Sequence, residues 1–208
     1  YPLRRQRQMC IRDRVLGISF AIITFYMVVE FLGGYWFNSL TLMADAGHMA
    51  NDSLSIFLAW IGLFLSLRWQ KWLALINGIS LVWVAIWIFI EAVTRWQAPI
   101  EIAALPMLGV ALLGFGINLL VAFIMLKSNR HNLNIRAAYL HVLVDLFGSV
   151  VAIIAGISAW WLNWQWVDVV ASGILSIFVL HSGISTVFQA IKSLYSSDDN
   201  SLPNDHSH

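Results

Sequence analysis

Charge is what this chain has least of. Only 11% of its 208 residues are Asp, Glu, Lys or Arg, against 60% hydrophobic, and the mean hydropathy is +0.76. A soluble domain of this length needs far more charge to cover its surface, so the composition excludes that class and indicates an integral membrane protein. Cysteine is nearly missing as well. Cys10 stands alone, which excludes a disulfide and a thiolate metal site. Short segments alternating apolar and polar residues are also lacking, which excludes a membrane β-barrel. The net charge of +1 gives no reason to expect a nucleic-acid partner, because membrane topology accounts for the basic residues.

Long apolar runs are present instead. A helix needs about 20 apolar residues to cross the roughly 30 Å hydrocarbon layer. Six runs qualify, at approximately 15–37, 40–67, 72–96, 104–126, 135–161 and 166–190. The expected fold class is all-α: an integral membrane bundle of six transmembrane helices, with residues 15–192 as the membrane domain. Short connections make successive spans antiparallel neighbours. Six spans put the amino-terminal segment, the 68–71 turn, the 127–136 connection and the tail on one side. That side carries eleven of the 12 basic residues and the other only Arg95, so both ends are expected to be cytoplasmic. Trp36, Trp69, Trp72, Trp96, Trp161, Trp164 and Trp166 sit at span ends, where amphipathic rings favour the membrane interface. A multi-pass protein of a bacterial inner membrane fits these compact loops. Residues 193–208 are expected to be a short, polar, disordered tail with no soluble C-terminal domain. The first fourteen residues, YPLRRQRQMCIRDR, read either as a basic arm or as a translated adapter remnant, and no function is assigned to them.

Against this apolar background the buried polar residues stand out. A charge at bilayer depth costs at least about 2.5 to 3.5 kcal/mol, so each is a functional hypothesis that requires a partner. Here they come in a pattern. His48 and Asp52 are four apart in the second span, and His141 and Asp145 are four apart in the fifth. Residues at i and i+4 stack on one helix face with Cβ atoms about 6 Å apart, close enough to grip one ion. Two facing HxxxD helices would supply two imidazole nitrogens and two carboxylate oxygens, a tetrahedral set suited to Zn²⁺ that also accepts Co²⁺ or Cd²⁺. The alternative is a structural cluster in which the pairs bond only each other.

Asp45 lies three residues before His48 on the same stripe, placed to act at the entrance or to support the ligands. Glu30 is deep enough in the first span to line the permeation route. Asn51 is expected to pack or hydrogen-bond. Glu91 is expected to pair with Arg95 at i+4, and His181, with no acidic residue one turn away, to be a packing histidine. His206 and His208 lie in a segment too flexible to preorganise a site.

The stretches LMADAGHMANDSLSIFLAW (42–60), LALINGISLVWVAIWIFIEAV (73–93), GFGINLLVA (114–122) and NLNIRAAYLHVLVDLFGSVVAIIAGI (132–157) resemble spans two to five of the cation diffusion facilitator family. The likeness is greatest to its zinc-exporting bacterial branch and the eukaryotic zinc transporters, and runs over roughly residues 15–190. The resemblance implies a proton-coupled exporter that carries Zn²⁺ as substrate, with Cd²⁺, Co²⁺ and Fe²⁺ as alternatives and protons as counter-ion. His48, Asp52, His141 and Asp145 would form its transport site. Asp168 falls where the family often has an acidic residue, although the Pro that commonly follows is Val169 here. The family usually continues into a cytosolic domain that promotes a homodimer; this sequence stops about sixteen residues beyond the sixth span and reads either as a member without that domain or as a fragment, which leaves a homodimer open. Its connection between spans four and five holds a single histidine, His131, instead of a His-rich run, and the connection between spans two and three is short and free of metal-binding residues.

Metal release follows from proton competition. Histidine ligates only when neutral, so protons entering the site displace the cation, and an ordinary pKa near 6.5 puts that exchange close to physiological pH. Alternating access would then couple inward protons to outward metal. Two rival classes are an intramembrane metal-dependent hydrolase, which needs an open coordination position and a separate base, and a non-transporting membrane scaffold.

Overall fold

The computed structural model describes residues 2–61, 64–128 and 135–199, with the side chains at 8–13, 15–16, 19, 55–56, 58–60, 125–128, 135–142 and 197–199 outside that description. Among the described residues six helices follow one another: α1 (Pro2–Trp36), α2 (Leu40–Ile61), α3 (Leu67–Gln97), α4 (Ala104–Ser128), α5 (Ile135–Trp161) and α6 (Trp166–Asp199). In hydrocarbon every backbone N–H and C=O must be satisfied within the segment, which a helix achieves. α3 starts five residues before its expected span. α1 reaches back through the basic segment to Pro2. Residues 193–199, expected within a disordered tail, are helical. The amine of Lys71 at the start of α3 donates to the Ser193 carbonyl at 3.0 Å, a cation meeting a carbonyl near a helix end.

Among the described residues, four helices are by themselves long and apolar enough to cross a membrane: Leu67–Gln97, Ala104–Ile124, Leu143–Trp161 and Trp166–Ser196. The apolar part of α1, Phe20–Trp36, is shorter. α2 is different because it carries Asp45, His48, Asn51, Asp52 and Ser53. Residues 39–47, leading into and through its first turns, are all buried, so its polar groups face protein rather than surroundings. The outer faces of the bundle show the reverse. Trp83, Ile90, Phe123, Phe178 and Phe188 are exposed, as expected where the solvent is lipid.

α3 and α6 form a long antiparallel pair. A Cβ at Gly78 would come within 2.8 Å of Val187, and one at Gly183 within 3.0 Å of Val82, so these two glycines let the helices touch. α1 packs on α2 and α4, and α4 on α5. α2 is the hub, meeting α1, α3, α5 and α6. Leu40, Met43 and Ala44 of α2 interlock with Ile88 and Ala92 of α3 and Leu175 of α6. Asn38 and Asn163, in the α1–α2 and α5–α6 turns, have φ of 59° and 55°, a left-handed conformation that asparagine tolerates better than most residues. The turn at Asn38 is fastened to its neighbours: Arg95 of α3 donates to the Asn38 carbonyl, and Ala103 N–H to the Phe37 carbonyl at 3.2 Å.

Candidate metal centre

Helix geometry brings the α2 residues together first. His48 and Asp52, one turn apart, put imidazole Nε2 3.9 Å from a carboxylate oxygen of Asp52. α5 supplies the opposite wall, where Asp145 Oδ1 lies 3.3 Å from the same Nε2. One donor atom from each of His48, Asp52 and Asp145 lies within 4.8 Å of the other two. Asp52 is 7% exposed, and His48 and Asp145 are each 21%. His48 Nε2 is buried and makes no well-formed hydrogen bond among the described residues. A ring nitrogen and two acidic oxygens therefore converge at ion-pair distances between α2 and α5. Around a tetrahedral zinc with bonds of about 2.0 Å, neighbouring ligand atoms are roughly 3.3 Å apart. The His48–Asp145 separation already has that length, and the His48–Asp52 separation exceeds it by about 0.6 Å.

His141 lies on α5, one turn before Asp145, but its side chain falls outside the described residues. The other expected residues surround the trio. Asp45 is 4% exposed and rests against α5 at Gly148, where an added Cβ would meet its Oδ1 at 2.5 Å. Without a side chain there, α5 leaves room for this carboxylate. Glu30 of α1 is 1% exposed, and its Oε2 has no hydrogen-bond partner among the described residues.

Several polar residues hold α2 and α5 in place. Asn118 of α4, to which spacing alone assigns no role, donates to Ser149 Oγ at 2.7 Å and to the Asp145 carbonyl at 3.5 Å, tying α4 to α5 at the level of Asp145. Thr24 of α1 and Ser53 of α2 share a hydroxyl hydrogen bond of 2.7 Å. Asn51 accepts from Asn77 of α3 at 3.4 Å, the hydrogen-bonding role expected for it. Glu91 and Arg95 pair at 3.4 Å, as their spacing indicates. His181 departs from expectation. Rather than being packed, it is exposed and lines a cavity of about 430 Å³ together with Asp45, His48, Phe147 and Phe178. The helical period gave its face, but not the gap between α5 and α6 into which that face turns.

Comparison with known proteins places this geometry in a lineage. A family model described as "Cation efflux transmembrane domain" matches residues 16–195. The "Cadmium, cobalt and zinc/H(+)-K(+) antiporter" of Bacillus velezensis is 42% identical over 184 residues, covering 82% of this chain and 59% of that protein. "Zinc transporter ZitB" of Yersinia pestis is 39% identical over 180 residues, covering 80% of this chain and 58% of its own length. "Metal cation efflux system protein CzcD" of Cupriavidus metallidurans is 31% identical over 180 residues, with coverage of 81% and 57%. The chain thus spans about three fifths of the curated relatives it matches, and these relatives are named as transporters and antiporters rather than enzymes. The polar trio between α2 and α5 therefore sits in a chain that belongs to the cation efflux family, also known as the cation diffusion facilitators.

Proposed function

We propose that this chain is the membrane-embedded transport unit of a proton-coupled exporter of divalent metal cations, with Zn²⁺ as its principal substrate. The observation that carries the reading is the convergence of His48 Nε2, Asp52 and Asp145 within 4.8 Å between two helices. His141, one turn from Asp145, completes a set of four. Two imidazoles and two carboxylates suit zinc and accept Cd²⁺ or Co²⁺, the metals in the name of the Bacillus velezensis relative. Four protein ligands leave no open position for activated water, which argues against hydrolysis.

All six helices cross the membrane in this reading, and both ends face the cytoplasm, supported by the eleven basic residues on that side. The membrane is the bacterial inner membrane; the relatives compared above are bacterial. Metal enters from the cytoplasm, and Asp45 and Glu30, nearer the α1–α2 turn than the trio is, line the route beyond it. The bundle then opens to the other side, where protons compete for His48 and His141 and weaken the hold on the cation. Protonated ligands return inward and release their protons.

Zinc uptake into vesicles containing purified protein tests the reading. Wild type takes up zinc, faster with an opposing proton gradient, and Asp145→Ala does not. Equal uptake by the two proteins would overturn the assignment of the site, and indifference to the gradient would overturn the coupling alone.

A further inference from the structure

Asp168 lies in the first turn of α6 and is fully buried, yet it takes no part in the trio. Its partners are all at the start of another helix. Asp168 Oδ1 accepts from the Ser39 hydroxyl at 2.9 Å and from Thr41 N–H at 3.4 Å, and Oδ2 accepts from Leu40 N–H at 3.2 Å. The Thr41 hydroxyl donates back to the Asp168 carbonyl at 3.1 Å. Leu40 and Thr41 are the first two residues of α2, and the N–H groups of a helix's first turn have no intrahelical acceptor. The third, Leu42 N–H, goes to Ser39 Oγ at 3.4 Å. A carboxylate from α6 thus completes the cap of α2 across a sequence separation of 127 to 129 residues. Its negative charge lies at the positive end of the α2 dipole as well as in the first turn of its own helix, a favourable placement for both.

The attachment has mechanical consequences. α6 pairs with α3, so Asp168 joins the start of the ligand-bearing helix to the α3/α6 pair. His48 is eight residues beyond Leu40, about 12 Å along the axis at 1.5 Å per residue. A tilt of roughly 10° about the cap would therefore carry the imidazole about 2 Å, more than a zinc site of fixed bond lengths tolerates.

We propose that Asp168 is a positioning residue: a clasp that fastens the start of α2 to the α3/α6 pair, keeps that end of the bundle closed and sets the register of His48 and Asp52 against α5. The proposal rests on the reading of α2 as a ligand helix for its functional meaning, but the clasp is tested without metal. Asp168→Asn removes the charge and turns an NH₂ group toward donors, leaving at least one of them unpaired in apolar surroundings.

Ala92 of α3, 4% exposed, belongs to the same buried cluster as Leu40, and Ala122 of α4, 5% exposed, is a control outside that cluster. With Cys10 changed to serine, Ala92→Cys and Ala122→Cys are introduced separately, and alkylation by a water-soluble maleimide is timed in lipid nanodiscs. Adding Asp168→Asn is expected to accelerate labelling at position 92 at least about tenfold, the loss of one or more charge-assisted hydrogen bonds, and to leave position 122 unchanged. Ser39→Ala, which cuts the clasp from the α2 side, gives a smaller acceleration at position 92 only. It also carries the test should Asp168→Asn yield no monodisperse protein. Unchanged labelling at 92 would overturn the proposal, and so would equal acceleration at both positions, the mark of general loosening. Zinc titration of the unaltered protein is run alongside. Failure to bind there counts against the metal reading, whereas the clasp stands or falls on the labelling rates alone.

Discussion

Replacing Asp52 by asparagine separates a metal site from a merely structural polar cluster, because the two readings give opposite signs. The carboxylates of Asp52 and Asp145 have oxygens within 4.8 Å of one another. At an effective dielectric of about 20, two unit charges at that distance repel by about 3.5 kcal/mol. A metal site tolerates this repulsion because the cation reverses it. Where the pH leaves the His48 ring neutral, Asp52→Asn relieves most of the strain and should raise the melting point of metal-free protein by several degrees, at about 2 to 4 °C per kcal/mol for a chain of this size. It should also abolish the gain from zinc, which for wild type at a hundred times Kd is about 2.7 kcal/mol, or roughly 5 to 10 °C. The 11 tryptophans allow unfolding of detergent-purified protein to be followed by intrinsic fluorescence, with chelator or with zinc. In a structural cluster, losing the acidic partner of His48 lowers the metal-free melting point. A lowered midpoint with the zinc shift intact would refute the reasoning.

The other expectations follow the same geometry. His48→Ala removes the central ligand, and zinc titration by calorimetry should show the heat of binding at this site gone. Zinc affinity of wild type should be maximal above the histidine range and fall below it by about tenfold per pH unit for each ligating histidine, up to about a hundredfold for two, because each must lose its proton; competition titrations between pH 8.5 and 5.5 read this, and a flat profile would exclude imidazole ligation. Asn118→Leu leaves Ser149 and the Asp145 carbonyl without their donor; equilibrium dialysis should show zinc affinity about 10- to 100-fold weaker with all ligands present. Gly78→Ala drives a methyl against Val187, whose backbone nitrogen lies 3.0 Å from the new Cβ, and should cost about 1 to 3 kcal/mol, read as a lowered melting point with unchanged zinc affinity.

Much of this architecture is legible in the residues. The apolar runs mark the six helices to within a few residues at most ends, and the i, i+4 spacing marks His48 and Asp52 as neighbours. Pairing α2 with α5 needs the motif twice, because one HxxxD carries no information about its partner. Other features escape such reasoning for a physical reason. Nothing local in WVDVV indicates that Asp168 caps a helix that begins at Leu40, since a cap from another element leaves no spacing to read. His181 is ambiguous because periodicity assigns a face, whereas exposure depends on how far α5 stands from α6. At the end of α6, Lys71 reaches the Ser193 carbonyl from more than a hundred residues away in sequence, a contact that no local pattern shows, while the polar composition of the segment favours disorder.

The central claim is that a divalent cation is held between α2 and α5 by these side chains in place of its water. Anomalous diffraction at the zinc absorption edge from crystals of the zinc-loaded protein tests it directly. The account predicts a peak between the two helices, about 2.0 to 2.2 Å from His48 Nε2 and from one carboxylate oxygen each of Asp52 and Asp145. Zinc density elsewhere in the chain, with none between these three side chains, would contradict it.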